Sequence, residues 1–194
     1  LERIQSQWPV VEEIRKKCGV GSISVGVLHQ GEVLFTGSTG YRDVAIQEKA
    51  GTRTLYTLCS ISKSFVAAAV GILVDRGKCK WEDTVGPYLP EFRPKGDSRV
   101  ATEATFNDFL RHSGGLANPI VNIIGPEGKV LVPEREFINV LNETPTGSEN
   151  FGPYFNAFWE YSNVAYGLVG LVIERLSGKR YADFVTQEIW SRSA

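Results

Sequence analysis

Hydrophobic positions change their period along this chain, and each change marks an element. Ile4, Trp8, Val11, Ile14 and Cys18 recur at helical spacing, Gly19 and Gly21 close the pattern, and Pro9 suits the start of a helix. From Ile23 the period drops to two. Ile23, Val25 and Val27 alternate, Gln30-Gly31 supplies a turn, and Val33-Leu34-Phe35 returns, which predicts a two-stranded antiparallel ribbon over 22–42. The stretch 60–74 is apolar nearly all round and reads as a central, buried helix ended by Gly77. Trp81–Phe92, with Pro87 and Pro90, reads as an ordered loop. Thr105 and Asp108 form a capping pair that opens a short helix ending at Ser113-Gly114-Gly115. Pro133 fits the first turn of a helix through Leu141, 144–153 is a polar loop, and a further helix runs from Asn163 to Ser177, closed by Gly178. Tyr181–Trp190 is a last amphipathic helix. The sum is a mixed α/β (α+β) chain: an N-terminal helix and hairpin over 1–50, then a mostly helical lobe over 51–194.

Composition narrows the function classes. A net charge of −1 over 194 residues gives no electrostatic reason for a nucleic-acid or acidic-membrane partner. No apolar run is long enough to span a bilayer. Cys18, Cys59 and Cys79 are odd in number and at no metal-like spacing, so they read as reduced, buried thiols in a cytoplasmic protein. His29 and His112 are the only histidines and have no ligand-like neighbours in sequence, so no zinc site and no cofactor is expected. The start at Leu1 and the absence of methionine read as a processed or excised piece.

Chemistry concentrates where polar chain becomes apolar helix. In Ser60-Ile61-Ser62-Lys63 the serine and lysine lie one turn apart on one helical face, so an amine can reach a hydroxyl without a histidine. The helix N-terminus adds unpaired N–H groups that favour a developing oxyanion. Alone, the pattern is weak, with roughly 0.6 chance matches expected at ordinary Ser and Lys frequencies. Its bland reading is a helix cap and a solvated charge. A second element is Tyr161-Ser162-Asn163, ahead of another apolar helix, where residues two apart in extended chain point the same way. Tyr161 could equally be a half-buried aromatic and Asn163 a helix cap. Tyr154-Phe155-Asn156 repeats the spelling in a Gly/Pro-rich loop and is read as a decoy. Cys59 would face away from Ser60, and His112 would brace the Ser-Gly-Gly turn that follows it.

These segments together resemble the β-lactamase-related serine hydrolases, a group of class C β-lactamases, D-alanyl-D-alanine carboxypeptidases, esterases and transesterases. The resemblance rests on Ser60–Ala69, Leu73–Lys78, Tyr88–Phe92, Leu110–Leu116, Tyr161–Asn163 and Ile173–Lys179, and its wording is closest to fungal members. It departs at Ser113 and Gly114, where threonine and serine are usual. The resemblance implies an antiparallel sheet with helices on both faces, an all-helical lobe, and a pocket where the lobes meet. It implies that Ser60 is acylated, Lys63 assists its deprotonation, and Tyr161 is the general base or its relay. Asn163 would hydrogen-bond substrate or fix the lysine. The substrate would be a small ester, amide or β-lactam, with no cofactor.

The family's third motif, a Lys/His-x-Gly strand with the second oxyanion donor, has no match after Tyr161 in this sequence. The expectation is therefore a partial fold without its C-terminal strands, impaired in turnover and able to self-associate through an uncovered sheet edge. A longer parent, a partner chain and a degenerate remnant all fit that gap. Two function classes stay open: a serine hydrolase or acyltransferase, and a non-catalytic binding module descended from one.

Overall fold

The computed structural model describes residues 2–119, 123–147 and 158–191. The chain divides into two compact units, Leu1–Leu58 and Cys59–Ala194. That boundary falls later than position 50, for a visible reason. The Ala50 N–H donates to the Gly40 carbonyl at 3.0 Å, and the Tyr56 hydroxyl is hydrogen-bonded to Ser22 and Ser24, each at 3.0 Å, so 50–56 stays tied to the sheet.

The first unit begins with two short helices, α1 (Glu2–Ser6) and α2 (Trp8–Lys17), with Pro9 in the first turn of α2 where its missing N–H costs nothing. Strands β1 (Ser22–His29) and β2 (Glu32–Asp43) pair antiparallel, with Val25 opposite Gly37 and Val27 opposite Phe35. Gln30 and Gly31 both have positive φ (51° and 84°), the backbone of a tight two-residue hairpin turn. A third strand, β3 (Glu48–Lys49), extends the ribbon read from the sequence. The Asp43 carboxylate accepts from the Ala45 and Ile46 N–H groups at 2.9 and 3.2 Å, and this side-chain turn folds the chain back on β2. The order is β1-β2-β3, which leaves one edge of β1 unpaired among the described residues.

The second unit is helical. A 3-10 turn over Cys59–Ser62 leads into α3 (Lys63–Asp75), so the regular helix starts three residues later than the apolar pattern suggests. Only one side of α3 is buried (Val66, Ala69, Val70 and Leu73), whereas the pattern predicted burial all round. Then come α4 (Arg99–Thr102), α5 (Phe106–Leu110), α6 (Phe137–Glu143), α7 (Asn163–Ser177) and α8 (Tyr181–Val185), the last running into a wide π-turn over Thr186–Trp190. Helix α5 has the capping box read from Thr105 and Asp108: Thr105 Oγ1 accepts from the Asp108 N–H, and the Asp108 carboxylate accepts from the Thr105 N–H. It stops at Leu110, short of the Ser-Gly-Gly turn, because His112 takes a left-handed φ of 66°. Helix α7 packs along α3, and Val70, Leu73, Phe106, Phe109, Leu141, Leu168, Val172 and Phe184 form one buried core.

Gly114 explains one departure from the family pattern. A Cβ at that position would lie 2.4 Å from the Phe109 ring, so the packing of Phe109 leaves no room for the usual serine. The cysteines correct another expectation: Cys79 is buried, but Cys18 and Cys59 are exposed. Cys18 sits past the end of α2, and Cys59, at φ 47°, opens the 3-10 turn rather than lying on a packed helical face. Among the described residues no helix is long and apolar enough to cross a membrane.

Candidate active site

The left-handed backbone at Cys59 and the 3-10 turn that begins there set Ser60 at the mouth of α3, one turn before Lys63. Ser60 is not a cap. Ser62 occupies that position, with helical φ/ψ and no capping bond. On the other side, Ser162 is extended (φ −133°, ψ 116°), so Tyr161 and Asn163 project to a common side as the chain enters α7. Ser162 itself caps α7, accepting from the Ala165 N–H at 3.2 Å. The cap is therefore Ser162, and the Asn163 side chain is left for other work.

All four side chains meet. Ser60 Oγ and Tyr161 Oη are 2.6 Å apart, and Lys63 Nζ donates to Ser60 Oγ at 3.3 Å and to Asn163 Oδ1 at 2.6 Å. The Lys63 ammonium also lies 4.7 Å from the Tyr161 ring centroid and 5.4 Å from that of Tyr166, within cation–π range. Hydrogen bonding from Lys63, then from Ser60, together with the Lys63 charge, holds the Tyr161 phenol below its ordinary pKa against the opposing pull of desolvation. The lysine thus acts on the tyrosine as well as on the serine. Asn163 Oδ1 is taken up by the ammonium, which places the residue as the lysine's holder. Its two donors both turn to Asn118: the backbone N–H reaches Asn118 Oδ1 at 2.9 Å and Nδ2 reaches it at 3.3 Å.

The segment before α7 is clamped by the loop after α5. The Glu160 N–H donates to the His112 carbonyl at 2.9 Å, the Ser162 N–H to His112 Nδ1 at 3.1 Å, and the Ser162 hydroxyl to the Ala117 carbonyl at 3.1 Å. The Tyr166 hydroxyl donates to the Leu110 carbonyl at 2.6 Å. His112 thus holds the approach to α7 with both its carbonyl and its Nδ1, where the sequence led us to expect only a brace for the turn that follows it. Asn118 escaped the sequence reading altogether; its only signal was its place two residues past the family-like Leu110–Leu116 segment. Tyr154-Phe155-Asn156 lies outside the described residues.

Buried Cys79 is no competing nucleophile: desolvation, reinforced by the nearby Asp83 carboxylate, pushes its thiol up to about 11. Among the described residues no group of three or more His, Cys, Asp or Glu side chains is placed to hold a metal ion.

Known proteins are similar to this chain in sequence and in fold. Penicillin-binding protein 4* of Bacillus subtilis is 31% identical over 162 residues, which is 82% of this chain and 34% of that protein. Esterase EstB of Burkholderia gladioli is 28% identical over 178 residues, 88% of this chain and 44% of its own length. The solved structure of an octameric penicillin-binding protein homologue from Pyrococcus abyssi superposes with a TM-score of 0.80 at 24% identity, over 97% of this chain and 42% of that one. The shared architecture is the β-lactamase/transpeptidase-like fold, and this chain spans less than half the length of these relatives. The family model described as Beta-lactamase matches residues 9–193, so the chain belongs to the β-lactamase family of serine hydrolases.

Proposed function

We propose that this chain carries out acyl transfer through an ester on Ser60, taking its acyl group from a small ester or amide. One observation carries the reading: the 2.6 Å contact between Ser60 and Tyr161, with the Lys63 ammonium against both. Tyr161, as phenolate, takes the Ser60 proton while Oγ attacks the acyl carbon. The N–H groups at the head of α3 and the Lys63 charge favour the oxyanion that forms. As the intermediate collapses, the bond to the leaving alcohol or amine breaks and Tyr161 returns the proton to it. Water or a second alcohol then attacks acyl-Ser60 with Tyr161 again as base, which frees the serine. Asn163 keeps the lysine in place throughout.

Acylation is the step these residues are arranged for. The free thiols support a reducing, cytoplasmic setting, and the edge of β1 that is unpaired among the described residues supports self-association at high concentration.

The test is covalent. Incubated with p-nitrophenyl acetate, quenched in acid and mapped by mass spectrometry, the chain gains one acetyl group on Ser60, and Ser60→Ala gains none there. Wild-type protein that stays unmodified at Ser60 overturns the assignment and favours a non-catalytic descendant.

A further inference from the structure

We propose that His112 is a positioning residue for the acylation step: its neutral imidazole, with the proton on Nε2, holds Tyr161 against Ser60 by accepting the Ser162 N–H. The proposal rests on the acyl-transfer reading of the same site. Residue 112 brackets Tyr161 from both sides. Its carbonyl takes the N–H of residue 160, and its Nδ1 takes the N–H of residue 162. Its ring lies on Tyr161, with centroids 4.6 Å apart and planes 37° apart, and it also contacts Tyr166 at 5.2 Å and Trp159 at 5.6 Å. An Nδ1 that accepts from a backbone donor cannot carry a proton, so the tautomer is fixed by the bond. The left-handed backbone at 112 turns the ring toward that segment and away from α5.

The same geometry makes the clamp sensitive to acid. Protonated Nδ1 would face the Ser162 N–H donor to donor, and the imidazolium would lie near the Lys63 ammonium. Among the described residues, the titratable groups against the ring are Tyr161 from the approach segment and Tyr166 from α7, with the Lys63 charge from α3 also acting on it. Arg111, next in the chain, directs its guanidinium to Asp108 and Ser113. Burial, then the Lys63 charge, lowers the His112 pKa from its ordinary value, so the clamp is closed at neutral pH and opens as pH falls through that lowered value.

Two variants separate the acceptor from the backbone. Asn and Gly both tolerate the left-handed conformation, and Asn alone restores a side-chain acceptor. The experiment follows Ser60 acylation by p-nitrophenyl acetate against pH in wild type, His112→Asn and His112→Gly, beside nitrogen NMR of the imidazoles. The expected result is a wild-type rate that falls about tenfold per pH unit while only Tyr161 titrates, and about a hundredfold per unit once His112 also protonates. His112→Gly should acylate about a hundredfold more slowly with KM nearly unchanged, the penalty of a loosened near-attack geometry. His112→Asn should recover about a tenfold part of that loss, and neither variant should show the steeper acid limb. The His112 signals, assigned by their loss in the Asn variant, should report the Nε2–H tautomer and titrate together with the Ser162 amide. An Nδ1–H tautomer, equal rates in the Asn and Gly variants, or a wild type without the steeper limb overturns the proposal. If His112→Gly fails to fold, the NMR tautomer and the Asn pH profile decide. Wild type that is never acylated at Ser60 defeats the acyl-transfer reading, whereas acylation indifferent to residue 112 defeats only this inference.

Discussion

The two units of this chain are built on different terms. Every buried side chain among the described residues belongs to the second unit, where helices α3, α5, α6, α7 and α8 share one core. In the first unit no described residue is buried, and Leu28, Val33 and Ile46 are 67%, 65% and 72% exposed. All four candidate catalytic and binding residues, and the loop that clamps them, lie in the unit with the core. Groups that must be held to fractions of an ångström need neighbours that cannot move, and close packing supplies them. The sheet unit rests on backbone pairing and half-buried contacts, so it has less to lose and less to hold.

Core truncation should break the symmetry most. Phe109→Ala removes a ring that is 0% exposed, and the loss should be about 3–5 kcal/mol. Val25→Ala, on the half-buried face of β1, should cost about 1 kcal/mol or less. Urea unfolding gives the magnitudes and hydrogen exchange gives the place. Amides of α3 and α7 should open in Phe109→Ala and stay protected in Val25→Ala. Equal loss of protection in both variants would mean the two units unfold as one.

The smaller effect concerns the edge. Leu28→Lys puts a charge on β1, whose edge is unpaired among the described residues, where an ammonium disfavours pairing with a second sheet. Sedimentation should show association weakened several-fold, with Ser60 acylation unchanged. Association that persists unaltered would place the contact elsewhere on the molecule.

What the sequence made legible was local. Helix α7 has the bounds that Asn163, Ser177 and Gly178 marked, the Thr105–Asp108 box closes within four residues, and Gln30-Gly31 turns the hairpin. Each of these is decided by neighbours a few positions apart. Strand β3 was not legible, since two residues carry no alternation and the turn before it depends on a side-chain bond from Asp43. The site was half legible. Spacing put Ser60 near Lys63 and Tyr161 near Asn163, but no spacing within either segment says that the two segments meet 100 residues apart. The bonds of Ser162 to His112 and of Asn163 to Asn118 join positions 50 and 45 apart, beyond the reach of any periodic pattern. The exposed thiols of Cys18 and Cys59 follow from backbone turns at the ends of elements, which apolar character alone does not reveal.

The central claim is that Lys63 acts through Tyr161 to activate Ser60, and the pH dependence of Ser60 acylation tests it most directly. A phenol held below its ordinary value is ionised at lower pH, so the rate should rise with pH and level off with a midpoint below the ordinary tyrosine value of about 10. Lys63→Met removes the donor and the charge, so its midpoint should move up toward that value, and Tyr161→Phe should lose about 10²–10⁴ of the rate and the midpoint with it. A wild-type midpoint at about 10, unmoved in Lys63→Met, would contradict the claim.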